Sequence, residues 1–90
     1  MKKEKKIKVV LKKLGRERAL GQAWMHENLV ELEPRQKPKK FLAVLIHEIL
    51  HCLEPDWSES KVDRHSMKIA DIVWKQGYRK IFLDNEKIGK

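Results

Sequence analysis

Two histidines four positions apart, with a glutamate directly after the first, stand in the run His47-Glu48-Ile49-Leu50-His51 and could hold a metal ion and move a proton beside it. On a helix, a spacing of four brings both imidazoles to one face, where two ring nitrogens can bind one zinc ion. The glutamate then projects toward the water that such an ion would activate, in the position of a general base. The pattern arises by chance about 0.02 times in a chain of this length and composition, so we treat it as a site. The competing explanation is a pair of hydrogen-bonded helical histidines without a metal.

A catalytic zinc takes three protein ligands and keeps one position open. The third ligand must come from outside the run, and Glu54, Glu59, Asp63 and His65 follow it in the sequence. Glu59 is favoured, because it falls in the first turn of the next helix on its apolar stripe, where a carboxylate without a cation is costly. A capping carboxylate at a helix start is the alternative role for Glu59. Asp63 is the next candidate for third ligand, or an acceptor that orients a ligand histidine. Cys52 is rotated about 100° from His51 on the helix and reads as a small core residue. His26 falls in a turn and His65 at a surface or helix edge. Trp24, Trp57 and Trp74 are expected to pack the core. Tyr78 and Arg79 are weaker candidates for stabilising a developing oxyanion.

The elements that position these residues follow from periodicity. Residues 6–14 alternate Ile7, Val9 and Leu11 with lysines, a half-buried strand ended by Gly15. Residues 22–25 and 29–32 read as short extended pieces around a His26-Glu27-Asn28 turn. Pro34 and Pro38 bracket a loop. Residues 41–53 form a helix that stops before Pro55, and Phe41, Leu42, Leu45, Ile46, Ile49 and Leu50 cover more than half its circumference, which predicts a buried helix. Ser58 caps a second helix over residues 59–76, ended by Gly77, with Val62, Ser66, Ile69, Ala70 and Val73 as its inner stripe. These elements define an α+β fold: a small antiparallel sheet of about three strands on a buried motif helix and a C-terminal helix. We expect one domain over residues 1–90, with 1–5 and 85–90 flexible and a short apolar patch at 81–83.

Three segments carry a family resemblance. His47-Glu48-Ile49-Leu50-His51-Cys52, Pro55-Asp56-Trp57-Ser58-Glu59 with Val62, and Trp74-Lys75-Gln76-Gly77-Tyr78-Arg79 resemble the minimal zincin-like proteins of phages and bacteria. Those proteins are similar to the short gluzincins of the SprT-like and ImmA/IrrE-like groups. The resemblance covers roughly residues 20–80. It implies a small sheet on the motif helix, zinc held by His47, His51 and Glu59, Glu48 as base, and a peptide bound alongside an edge strand. Against the larger members of those groups, the 90 residues are expected to hold little beyond the metal-binding minimum, without a zinc-ribbon extension or an added substrate cleft.

Composition bounds the alternatives. The chain has 90 residues and a formal net charge of +8, from 21 Lys and Arg against 13 Asp and Glu. Much of the excess lies in the lysine clusters at 2–8 and 37–40, where solvation accounts for it. One cysteine excludes an internal disulfide and fits a reducing compartment. Lysines interrupt the N-terminal segment where a signal peptide would be apolar, and the apolar run at 41–46 is too short to span a bilayer. The expected setting is therefore cytoplasmic, in a phage-encoded or bacterial protein with no membrane partner. The leading function is a zinc-dependent peptidase-like hydrolase acting on a protein or peptide. The alternatives are a small zinc-stabilised phage accessory or structural protein, and a basic nucleic-acid-binding protein.

Overall fold

A computed structural model describes residues 6–15 and 20–79. The elements run β1 (Lys8–Leu11), β2 (Gly21–Trp24), a short 3-10 turn (Met25–Glu27), β3 (Leu29–Leu32), α1 (Pro38–Leu53) and α2 (Glu59–Lys75). This is the expected α+β arrangement, a three-stranded sheet with two helices. The flexible ends and the patch at 81–83 lie outside the described residues, as does most of the ambiguous stretch before Leu20.

The sheet is mixed rather than antiparallel, in the order β1-β3-β2. β2 and β3 are joined by the 3-10 turn and Asn28, whose φ of 51° reverses the chain, so they pair antiparallel. β1 lies on the far side of β3 and runs parallel to it, with Val9 beside Val30 and Leu11 beside Leu32. Residues 12–28 separate β1 from β3 in sequence, enough for the long connection that parallel strands need and a tight hairpin cannot supply.

Helix α1 crosses the face of β2 and β3 that carries Val30 and Leu32, both fully buried. Phe41 and Cys52 from α1 complete that core, with Ala23, Val44, Leu45 and Ile49 packed against it. The helix is half-buried rather than enclosed, since only Phe41 and Cys52 are fully covered. A sheet on one side and a single helix on another cannot surround it. Val9 and Leu11 remain 43% and 37% exposed, because β1 is the edge strand away from α1.

The second helix covers α1 with Val62, Ser66 and Ala70. Its start is fixed by Ser58, whose hydroxyl accepts from the Lys61 N–H at 3.1 Å. Its end is fixed by Gly77, at a φ of 93°. The Gly77 and Tyr78 N–H groups donate to the carbonyls of Trp74 and Val73, which satisfies the last turn.

Trp24 departs from the expected core role. It is 46% exposed on the sheet face opposite α1, where its indole N–H donates to Glu31. Trp57 is half-buried, its ring tilted at 51° against His65 and the Lys61 ammonium 4.5 Å from its ring centre.

Candidate metal centre

The HExxH run occupies the C-terminal half of α1, so His47 and His51 stand one turn apart, their ring centres 4.9 Å from each other. The turn at 54–58 brings the start of α2 back over them. Glu59, the first residue of α2, places Oε2 3.0 Å from His47 Nε2 and Oε1 2.9 Å from His51 Nε2. Among the described residues, His47, His51 and Glu59 form a group whose ligand atoms all lie within 4.8 Å of one another.

The donor set fits a zinc ion. Two imidazole nitrogens and a carboxylate oxygen suit it chemically, and ligands about 2.0–2.2 Å from a tetrahedral ion stand roughly 3.3 Å apart, near the two Glu59–histidine spacings and inside the 4.8 Å span of the group. The fit extends to His47 Nδ1, which lies 3.2 Å from Asp63 Oδ1. A carboxylate only accepts, so with an ion held at Nε2 in place of the direct Glu59 contact, Nδ1 would keep the proton and donate it to Asp63. Asp63 sits one helical turn after Glu59, so the orienting role considered for it matches its position.

Glu59 stands where expected for a different reason. Its side chain is 70% exposed, so avoidance of a buried charge does not place it there. The capped start of α2 does. The helical period correctly assigned Glu59 to the inner stripe but carried no information about how far the first turn projects past the core.

Glu48 faces β2. Burial pushes its carboxyl above the usual carboxylate range, His47 and His51 oppose that rise, and Glu59 adds to it. A Cβ on Gly21 would lie 2.6 Å from Val44 Cγ1, 2.9 Å from Leu32 Cδ2 and 3.1 Å from Glu48 Cγ, so only glycine lets β2 come this close to the glutamate. Sequence reasoning passed over Gly21 as a site residue, although a glycine opening a strand signals a close backbone approach. An open cavity beside the centre is walled by Gly21, Gln22, Ala23, Met25, His47, Glu48, His51 and Glu59.

The remaining candidates lie elsewhere. Glu54 is the exposed C-cap of α1, and His65 is exposed with its ring nitrogen against the Lys61 carbonyl. The Arg79 guanidinium stacks over Trp74 at 3.7 Å and Tyr78 is 70% exposed, both beyond the far end of α2. His26 is exposed in its turn, and Cys52 is buried in the core. No protein-family model, curated protein or solved structure matches the chain.

Proposed function

We propose that the protein is a zinc-dependent hydrolase of the peptidase type, cytoplasmic in setting. The observation that carries this reading is the convergence of His47, His51 and Glu59 beside the half-buried Glu48, at the floor of an open cavity. His47, His51 and Glu59 would hold the ion. When bound, zinc supplies Lewis acidity, polarising a carbonyl and making water acidic enough to give up a proton near neutral pH. Glu48 accepts that proton and delivers it to the leaving amine. Asp63 keeps the His47 ring in the required tautomer. The outer edge of β2, which no strand among the described residues covers, offers an extended peptide backbone hydrogen bonds alongside the site.

Metal analysis of protein purified without added zinc tests the assignment. Near-stoichiometric zinc is expected in the wild type and in Glu48→Gln, with strong loss in His51→Ala and Glu59→Ala. Peptide hydrolysis should fall at least about 100-fold in Glu48→Gln. Zinc lost from Glu48→Gln would remove the base assignment, and a folded wild type without metal would remove the whole reading.

A second reading is supported by the small core, whose buried apolar residues among those described are Leu14, Val30, Leu32, Phe41, Cys52, Val62 and Ala70. Here zinc ties α1 to α2 in a structural or interaction module. Chelation distinguishes the two: cooperative unfolding indicates the structural role, and a folded, inert protein the catalytic one.

A further inference from the structure

Three adjoining cavities form one trough along the edge of β2 that no other described strand pairs with. The cavity at the metal centre shares Ala23 and Met25 with one of about 540 Å³ lined also by Trp24, His26, Glu27 and Pro55. On its other side it shares Gly21, His47 and Glu48 with one of about 480 Å³ that reaches Leu20, Ala43, Met67 and Lys40. Volumes of this size suit side chains of a bound ligand.

The backbone of β2 states what could lie there. The Leu20 carbonyl accepts from the Glu33 N–H, so the bonded pairs along the ladder are Leu20 with Glu33, Gln22 with Glu31 and Trp24 with Leu29. Gly21 and Ala23 therefore turn their N–H and C=O groups away from β3, into the trough. An added strand is better held antiparallel. In that direction its N-terminal half meets the Trp24 end and its C-terminal half the Leu20 end.

The charges at the two ends differ in the same sense. Glu27 is in the wall at the Trp24 end, and exposed Glu54 and Asp56 flank Pro55. Lys40 is in the wall at the Leu20 end, with exposed Lys39 and Lys37 beside it and the positive pole of the α1 dipole beneath. Among the described residues, the wall groups that run against this gradient are His26, Glu48 and Asp63; Glu48 stands at the metal centre between the two ends, and Asp63 is tied to His47.

Resting on the hydrolase reading, we propose that the trough selects an extended peptide with basic character before the cleaved bond and an acidic group after it, and that Lys40 reads the acidic group. Lys40 lies eight residues before Glu48 on α1, about 12 Å along the axis. An extended strand advances about 3.3 Å per residue, so the acidic group belongs three to four residues past the bond.

Two labelled octapeptides with blocked ends test this. They share four central apolar residues, one with Lys at the first two positions and Glu at the last two, the other with these charges exchanged. Their net charge is equal, so the overall positive charge of the protein attracts both alike. Binding is measured by fluorescence anisotropy on zinc-loaded Glu48→Gln, which removes the need for turnover. The Lys-first peptide should bind roughly five- to tenfold tighter at low salt, with the difference shrinking at 0.5 M salt. Lys40→Glu, exposed in a first helical turn that tolerates acids, should erase or invert the preference. Equal binding, the opposite preference, a preference indifferent to Lys40→Glu, or no binding of either peptide would each overturn the proposal. Cleavage by the wild type is scored separately: preferential binding without cleavage sinks the hydrolase reading and leaves the polarised trough standing.

Discussion

His47 is held from both sides, by Asp63 at Nδ1 and by the Glu59 carboxylate facing Nε2, whereas His51 shares only the second of these contacts. The difference makes Asp63 a specific test of the metal reading. Its side chain is 60% exposed, so Asp63→Ala should change the thermal stability of metal-free protein little. Zinc affinity, measured by competition with a chromophoric chelator, should fall on the order of tenfold, because the His47 ring loses its fixed tautomer and some basicity. Unchanged affinity would reduce the Asp63 contact to a surface ion pair. Gly21 can be tested as directly. Gly21→Ala sets a methyl group against Val44, Leu32 and Glu48, and should lower stability by about 1–3 kcal/mol in urea unfolding.

At the level of elements, both helices are bounded by local chemistry. Gly77 has no atom within 4 Å of where a Cβ would sit, so Gly77→Ala meets no clash and pays only for the left-handed backbone. A loss of about 1 kcal/mol, read from the urea midpoint, is expected. Such ends were legible in the sequence because Ser58, Gly77 and Pro55 act on their immediate neighbours; α1 begins earlier than expected, at Pro38, which suits the first helical position. Strand positions were legible too, from the alternation of Val30 and Leu32 with charged residues. The direction of β1 was not, since that alternation is the same beside a parallel or an antiparallel neighbour. The exposure of Trp24 was hidden for a related reason: an aromatic residue in a strand reveals its type but not which face the helix will cover. At the site, the helical spacing exposed His47, Glu48 and His51 directly, while the approach of Gly21 depends on how α1 crosses β2, which no local pattern encodes.

Across the whole molecule, the buried Glu33 carboxylate joins segments that the sheet alone does not. It accepts from the Leu14 N–H at 2.7 Å and from the Arg35 backbone and guanidinium, so it binds the chain leaving β1 to the chain leaving β3. The Arg35 side chain holds its pKa down to about 2 from 4.5. A carboxylate lowered in this way contributes its stability in full above about pH 4.5, and the contribution is lost as pH falls toward 2. Acid titration of the fold should show a loss in that window that Glu33→Gln largely removes. At neutral pH the same variant should be less stable by on the order of 2 kcal/mol, since solvent screens the half-exposed Arg35 guanidinium.

The residues facing the proposed ion, together with Asp63, fall between positions 47 and 63, on two helices joined by one short turn. Closing so short a loop costs little chain entropy, so the helical hairpin can assemble its ligands before any strand has found its neighbour. The surroundings of Glu48 are different, because they require β2 to arrive from far back in the sequence and lay Gly21 against the glutamate. On the proposed reading, capture of the metal and command of the proton are thus separate events in folding. A chain whose helices have formed ahead of its sheet would hold the ion without yet being able to use it.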